Sequence, residues 1–298
     1  MSEEFEAVVS CCASCGVAEI DDVKLKECDG CDLVRYCGDE CERDHWSQHK
    51  PACKKRAAEL RDELLFKQPE SSHMGDCPIC FLPLPIDETK CIISGCCSKV
   101  ICRGCAYANK MRENEMRLQQ SCPFCRETLP ETDEEHRKRV MKRIEMNDPV
   151  ALCHEGGKQQ KKGNHVRAFK YYTKAAALGN AWAHNRLALM YNFGHGAEKD
   201  EGKYIHHLEE AAIGGNPHAR FCLGCKELLD NGNTERAVKH WIIAATQGED
   251  EAIKWLMDAF KSELVGKEVL ATALRAHKAA VDATKSSQRE AAEKSFEF

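Results

Sequence analysis

The sequence predicts a multidomain protein in which two small cysteine-rich α+β modules precede an all-α solenoid of helical repeats. Eight closely spaced pairs of cysteine or histidine residues lie between positions 12 and 125. Beyond position 146 cysteine becomes scarce, alanine becomes abundant, and a glycine-ended motif recurs. Paired ligands of this kind are typical of small metal-stabilised modules, and a long helical period is typical of stacked hairpins.

Composition narrows the function classes. The chain has 298 residues, of which 43% are hydrophobic and 31% charged, so it has room for two or three ordinary globular domains. The net charge of −5 disfavours a surface built to hold nucleic acid, because such surfaces are strongly basic. The N-terminus has no signal-peptide pattern and no apolar run approaches about 20 residues. We expect a cytoplasmic or nuclear protein that does not enter membranes.

The twenty cysteines have the spacing of metal ligands. Most of them form CxxC pairs mixed with histidine, and a reducing compartment disfavours disulfides. A two-residue spacer lets both thiolates of a turn reach one tetrahedral zinc ion about 2.3 Å away. Five cysteines stay outside the pairs: Cys11, Cys91, Cys153, Cys222 and Cys225.

The first cysteine-rich module reads Cys12-x2-Cys15, Cys28-x2-Cys31, Cys37-x3-Cys41 and His49-x3-Cys53. With Arg35-Tyr36-Cys37-Gly38 and His45-Trp46, this segment resembles the MYND zinc finger. The resemblance implies two zinc sites, formed by Cys12, Cys15, Cys37 and Cys41 and by Cys28, Cys31, His49 and Cys53. Helical residues four apart share a face, which suits the last pair. His45 is the alternative ligand, and we prefer His49 because Cys53 is its partner.

The second cysteine-rich module reads Cys77-x2-Cys80, Cys96-Cys97, Cys102-x2-Cys105 and Cys122-x2-Cys125, with a predicted helix from Ala106 to Gln120. It resembles a RING finger. The resemblance implies an interleaved cross-brace, with one site formed by Cys77, Cys80, Cys102 and Cys105 and the other by Cys96, Cys97, Cys122 and Cys125. Lys99 stands near the place of the usual histidine and cannot ligate, so the set is all cysteine. Cys91 is the rival for the place of Cys96 or Cys97.

Both modules are expected to hold structural zinc, four ions in total. About 40 residues cannot bury enough apolar surface to fold unaided, and each structural zinc contributes about 10–16 kcal/mol. Because every ligand position is filled by cysteine or histidine, no position remains for a catalytic water. We therefore predict no catalytic residue within the zinc sites themselves.

The C-terminal half repeats a helical unit. Gly179, Gly215 and Gly248 each follow an alanine-rich segment, with spacings of 36 and 33 residues. Equivalent positions hold Tyr172, Leu208 and Trp241. A glycine after the second of two short helices is typical of an α-solenoid. The pattern resembles Sel1-like repeats, relatives of the tetratricopeptide repeat, and an earlier copy begins at Asn147. The Cys222-x2-Cys225 pair within the repeats is expected to pack as small hydrophobes.

The predicted organisation has seven segments. They are a flexible N-terminus (1–10), the MYND-like module (11–54), a helix and exposed linker (55–75), the RING-like module (76–130), a charged linker helix (131–146), the Sel1-like repeats (147–284) and a polar tail (285–298).

These resemblances imply two functions. The RING resemblance implies contact with a ubiquitin-conjugating enzyme through Ile79, Tyr107, Pro123 and Arg126. The MYND resemblance implies a short proline-containing peptide as a ligand of Trp46, although Glu42 replaces the glutamine of peptide-binding members. We expect a RING-type E3 ubiquitin ligase whose MYND and Sel1-like parts bind protein partners. The alternative is a non-catalytic interaction scaffold with structural zinc only.

Overall fold

The computed structural model describes residues 10–19 and 23–296, so almost all of the predicted flexible N-terminus lies outside the described residues. The chain forms two compact units, Met1–Lys67 and Gln68–Phe298, and each is described by itself. Within the described residues, none of the helices combines the length and the apolar character that a transmembrane span requires.

The first unit holds the first cysteine-rich module. Strands β1 (Lys26–Glu27) and β2 (Arg35–Tyr36) pair in antiparallel fashion, and helix α1 (Asp39–Phe66) follows. The predicted second helix after Cys53 is not separate, because α1 runs on without interruption. Pro51 lies inside α1 and removes one hydrogen-bond donor. His49 and Cys53 flank it and belong to one ligand group.

The second unit begins with the second cysteine-rich module. A 3₁₀ turn (Glu88–Lys90) leads into strand β3 (Cys91–Ile93), which pairs with the antiparallel strand β4 (Val100–Cys102). Helix α2 (Arg103–Glu115) follows and is shorter than the predicted Ala106–Gln120 helix at its C-terminal end. It ends early because Arg117 is left-handed, with φ 53°, and the Leu118 amide bonds back to the Glu113 carbonyl.

In the part of the chain that the structure describes, ten further helices follow α2. They are α3 (Asp133–Glu145), α4 (Pro149–Lys161), α5 (His165–Ala177), α6 (Ala181–Phe193), α7 (Glu201–Ile213), α8 (Pro217–Leu229), α9 (Thr234–Thr246), α10 (Asp250–Lys261), α11 (Lys267–Ala283) and α12 (Ser287–Phe296).

The repeats are the hairpins α4–α5, α6–α7 and α8–α9, which contact one another in series. Gly179, Gly215 and Gly248 follow α5, α7 and α9 with φ of 79°, 82° and 91°, the left-handed conformation that ends a helix at glycine. The equivalent side chains of Tyr172, Leu208 and Trp241 are fully buried. The predicted solenoid period therefore corresponds to the actual core.

The segment from Pro69 to Gly75, predicted to be an exposed linker, is hydrogen-bonded to the repeats. The His73 amide donates to the Gly215 carbonyl at 2.9 Å, and Gln247 Nε2 donates to the Ser71 carbonyl at 3.3 Å. Further along, Arg186 of α6 donates to both carboxylate oxygens of Glu88, at 3.0 and 3.2 Å. The second cysteine-rich module therefore packs on the repeats as part of one unit.

Two other segments are more buried than the sequence predicts. Helix α3, predicted to be a solvated linker helix, buries Val140 and places Arg143 Nε 3.3 Å from Ser98 Oγ. The predicted polar tail forms α12, in which Arg289 and Ala292 are buried. The prediction was wrong there because these two residues are surrounded in the sequence by polar residues, whose composition is typical of an exposed tail.

We expect the Leu208→Ala variant to lose about 2–5 kcal/mol of unfolding free energy, because its side chain is 0% exposed in the repeat core. The matched Leu229→Ala variant removes a leucine that is 69% exposed and should change stability by at most about 0.5 kcal/mol. Urea denaturation followed by circular dichroism measures both. Equal losses in the two variants would contradict the assigned core.

Candidate metal centres

Three of the cysteine pairs fold into the same tight turn, at Cys12–Gly16, Cys77–Phe81 and Cys122–Arg126. In each turn the amide of the first cysteine donates to a carbonyl five residues later, at 2.7–3.0 Å. The amide four residues later donates back to that cysteine, at 2.8–2.9 Å. This local hydrogen bonding holds both sulfur atoms of a pair on one side of the turn, so each turn presents a preformed half of a metal site.

The structure brings the paired ligands together in four groups, and within each group the ligand atoms lie within 4.8 Å of one another. The groups are Cys12, Cys15, Cys37 and Cys41; Cys28, Cys31, His49 and Cys53; Cys77, Cys80, Cys102 and Cys105; and Cys96, Cys97, Cys122 and Cys125. In both modules the first pair joins the third and the second joins the fourth. These are the same sets that the two resemblances imply.

The distances suit zinc. A tetrahedron with zinc–sulfur bonds of about 2.3 Å has sulfur–sulfur edges of about 3.8 Å. The Cys77–Cys105 and Cys80–Cys102 sulfur pairs are both 3.9 Å apart, and Cys28–Cys53 is 3.8 Å apart. The Cys96–Cys125 pair is closer, at 3.3 Å. Thiolate and imidazole are the ligands that structural zinc takes, so the donor set and the spacing agree.

His49, and not His45, lies in the metal group of the first module. Its Nε2 is 3.3 Å from Cys31 Sγ, and its side chain is buried. His45 Nδ1 is instead 3.0 Å from the Tyr36 hydroxyl oxygen, and the two histidine rings stack with centroids 5.7 Å apart. His45 therefore supports the ligand ring from behind.

Cys91 lies outside both ligand groups of the second module. It pairs with Cys102 across the β3–β4 ladder, and its sulfur is 3.8 Å from the Pro85 carbonyl oxygen. Burial raises the pKa of Cys91 to about 12, so it stays a neutral thiol. The structure places Cys96 and Cys97 in the second group in preference to Cys91.

The four residues expected to contact a conjugating enzyme differ in exposure. Ile79, Tyr107 and Pro123 are half-buried, whereas Arg126 is exposed. Arg126 Nη1 donates to Asn109 Oδ1 of α2 at 3.3 Å. Asn109 was not among the predicted site residues, because its only signal in the sequence is its position one helical turn after Cys105.

Phe81 and Glu113 were also not among the predicted site residues. Phe81 follows the first pair of the second module and is 76% exposed. Glu113 is buried on α2 and accepts hydrogen bonds from the Ser121 hydroxyl and amide, at 2.6 and 3.3 Å. Burial opposes ionisation, but these donors outweigh it and hold the pKa of Glu113 below its ordinary value. Glu113 thus fixes the segment that leads into the Cys122 turn.

Trp46 of α1 is 40% exposed, and its ring meets the His49 ring edge-on with centroids 6.3 Å apart. Glu42, one turn earlier, lies 3.9 Å from the Lys26 ammonium group. The first module therefore presents an aromatic surface directly over one metal group.

The Cys222-x2-Cys225 pair remains a packing feature. Cys222 Sγ lies 3.7 Å from His218 Nε2, and Cys225 contacts the core that contains Trp241. Neither cysteine joins a group of three metal ligands in residues 10–19 and 23–296. Burial raises the pKa of Cys222 to about 12 and that of Cys225 to about 11, as expected for neutral thiols.

We expect the His49→Ala variant to bind one zinc ion fewer than the wild type, because it removes one of four ligands. The matched His45→Ala variant should keep the full zinc content, since His45 contacts Tyr36 and no ligand sulfur. Elemental analysis of both purified proteins measures the difference. Zinc loss from His45→Ala alone would reverse the assignment.

Known families match two parts of the chain. The MYND finger model matches residues 12–53, and the Sel1 repeat model matches residues 150–180, 183–216 and 223–249. No curated protein matches the chain.

Two solved structures are similar to the chain. A Sel1 repeat protein from Oxalobacter formigenes is 20% identical with a TM-score of 0.44, and the match covers 61% of this chain and 74% of that one. The structure of c5321, a protective antigen of uropathogenic Escherichia coli strains with an SLR fold, is 20% identical with a TM-score of 0.40. That match covers 56% of this chain and 37% of the c5321 chain. The family models assign a MYND finger to residues 12–53 and Sel1 repeats within residues 150–249.

Proposed function

We propose that the protein is an interaction scaffold stabilised by four structural zinc ions, two in each cysteine-rich module. The observation that carries this proposal is the closure of the ligand groups. Each group offers four cysteine or histidine ligands, so a bound ion has no open position for a substrate or a reacting water. Zinc sites of this kind shape binding surfaces and do no chemistry. The MYND finger and the Sel1 repeats both belong to classes that bind proteins.

The binding surface of the MYND finger is centred on Trp46. Its exposed ring is held edge-on against the buried ring of His49, so it is a platform for the ring of a proline in a short peptide. Glu42 stands where peptide-binding members have a glutamine. Its carboxylate only accepts hydrogen bonds, whereas the glutamine amide also donates them. We therefore favour proline-containing peptides with a hydrogen-bond donor or a basic residue beside the proline.

The second cysteine-rich module, which we interpret as RING-like, carries a further surface. Phe81 and Arg126 end two of the metal-binding turns with φ of 56° and 65°, the conformation that glycine adopts most easily. Gly16 takes the equivalent place in the first module. Large side chains in such a conformation cost stability, and strain of this kind concentrates at functional sites. Both side chains are exposed, which supports a role in contacting partners.

Ubiquitin transfer is the second candidate function. The observation that favours it is the anchoring of Arg126 by Asn109, which holds a cation at the exposed end of the last metal-binding turn. On this hypothesis Ile79, Tyr107, Pro123 and Arg126 contact a ubiquitin-conjugating enzyme, and Arg126 uses its planar fork to bridge two partners. We also propose a cytoplasmic or nuclear location, because cysteines that form no disulfides are typical of a reducing compartment.

Peptide binding tests the scaffold proposal. We expect Trp46→Ala to weaken binding to proline-containing peptides at least about tenfold, a loss typical of an aromatic contact. The matched Leu33→Ala variant removes another exposed apolar residue of the same module and should bind within about twofold of the wild type. Fluorescence anisotropy with a peptide array measures binding, and zinc content is measured on every variant. Equal binding by wild type and Trp46→Ala would refute the proposed surface.

Autoubiquitination separates the two candidate functions. The scaffold proposal predicts that zinc-loaded wild-type protein forms no ubiquitin chains with a broad panel of conjugating enzymes. Chains that form with the wild type and disappear in both Ile79→Ala and Arg126→Ala, at unchanged zinc content, would establish the ligase instead. Gel analysis of the reaction products is the measurement.

A further inference from the structure

We propose that helix α12 is an integral part of the second cysteine-rich module. We further propose that Arg289 is the residue that positions the metal-binding turn Cys77–Phe81. Arg289 is only 7% exposed. Its Nη1 donates to the Pro83 carbonyl at 2.7 Å, and its Nη2 donates to the Leu82 carbonyl at 3.2 Å. Nη2 also lies 3.5 Å from Cys80 Sγ, a member of the first ligand group.

A buried arginine is costly unless carbonyl or thiolate acceptors surround its guanidinium group. Here the acceptors come from the turn that follows Cys80, and a further bond joins Nη1 to the Thr284 carbonyl at the end of α11, at 2.6 Å. The planar fork reaches all of these acceptors at once, which lysine cannot do. The guanidinium group therefore ties the end of the solenoid to the metal-binding turn.

The packing of α12 on α2 supports this role independently. A Cβ placed on Gly104 would lie 2.8 Å from the Arg289 backbone nitrogen and 2.9 Å from its Cα. Real Cβ atoms do not approach backbone that closely, so α2 has a glycine where α12 crosses it. Ala292 is fully buried one turn later, and Glu293 forms an ion pair with Lys90 at 2.9 Å. This face of α2 is therefore covered by the chain itself and is closed to partners.

The hydrogen bonds of Arg289 act on the geometry of the ligand group. The Leu82 carbonyl accepts hydrogen bonds from both the Arg289 side chain and the Cys77 amide. The side chain of Arg289 therefore stabilises the turn that holds Cys77 and Cys80. A donor to a ligand thiolate orients that ligand and slows its exchange, as outer-shell contacts do at other metal sites. The same turn displays Phe81, so α12 also positions the proposed partner surface. The part of this inference that concerns zinc rests on the proposed function.

Three variants of the full-length, zinc-loaded protein test the inference. Arg289→Ala removes every bond of the guanidinium group, Arg289→Lys keeps the charge without the fork, and Gly104→Ala displaces α12 while leaving Arg289 intact. The control for arginine is Arg275→Ala on α11, whose Nη2 bonds only within its own helix, to Thr272 at 3.0 Å. The control for glycine is Gly157→Ala on α4, where the nearest atom to a Cβ is the Tyr172 hydroxyl at 3.7 Å.

Two readouts are measured on each protein whose helical circular dichroism matches the wild type. The first is hydrogen–deuterium exchange of peptides covering residues 77–84, and the second is the rate of zinc release to a chromogenic chelator. We expect all three test variants to accelerate both at least about tenfold, as loss of bonds to a charged group implies. Both controls should stay within about twofold of the wild type, and peptides covering 237–256 should be unchanged in every protein.

Exchange and zinc release that stay at wild-type values in Arg289→Ala and Gly104→Ala would overturn the inference. The proposal of four zinc ions and the proposal that Arg289 positions the Cys77 turn can be rejected independently of each other. If the wild type holds only the zinc of the MYND finger, the four-ion proposal fails, and exchange in residues 77–84 alone decides whether Arg289 positions the turn.

Discussion

Electrostatic repulsion within the cysteine groups is the constraint on which the cysteine-rich part of the structure depends. Two thiolates 3.8 Å apart repel by about 4 kcal/mol at an effective dielectric constant of about 20. The three or four thiolates of a group remain together only if they stay protonated or share a cation. A divalent ion reverses the sign of this interaction, and it replaces the apolar core that modules of this size lack. The short strands and tight turns around each group serve mainly to aim the sulfur atoms.

The Sel1 repeats supply a platform for the second cysteine-rich module. The turns between repeats expose backbone groups at regular intervals, and the segment before Cys77 uses them: the Gly215 carbonyl accepts from the His73 amide. Glu88 reaches Arg186 on α6, and α3 and α12 pack on the two ends of the module. Gly215, one of the left-handed glycines that end the repeat helices, therefore also provides an attachment point for the module.

The parts of this structure that the sequence could predict are those set by local spacing. Ligand groups follow from CxxC turns and from the interleaving that both resemblances imply, and the repeats follow from their glycine period.

What the sequence could not predict depends on contacts between distant residues. Glu88 and Arg186 are 98 residues apart, and Cys80 and Arg289 are 209 apart. Arg289 lies in a segment of serine, lysine and glutamate that has the composition of a solvated tail. Cys91 could not be separated from Cys96 and Cys97 by spacing, because its place is set by the β3–β4 pairing, which puts it opposite Cys102 of the other ligand group.

The distance along the chain between Cys80 and Arg289 affects the order in which the protein is completed on the ribosome. At about 5–20 residues per second, the ribosome needs about 10–40 s to add the 209 residues that separate the two partners. During that interval the Cys77 turn lacks the hydrogen bonds that Arg289 donates. Helix α12 is therefore synthesised well after the module that it completes, and a chain interrupted before α12 would expose the glycine face of α2 together with an unsecured metal site.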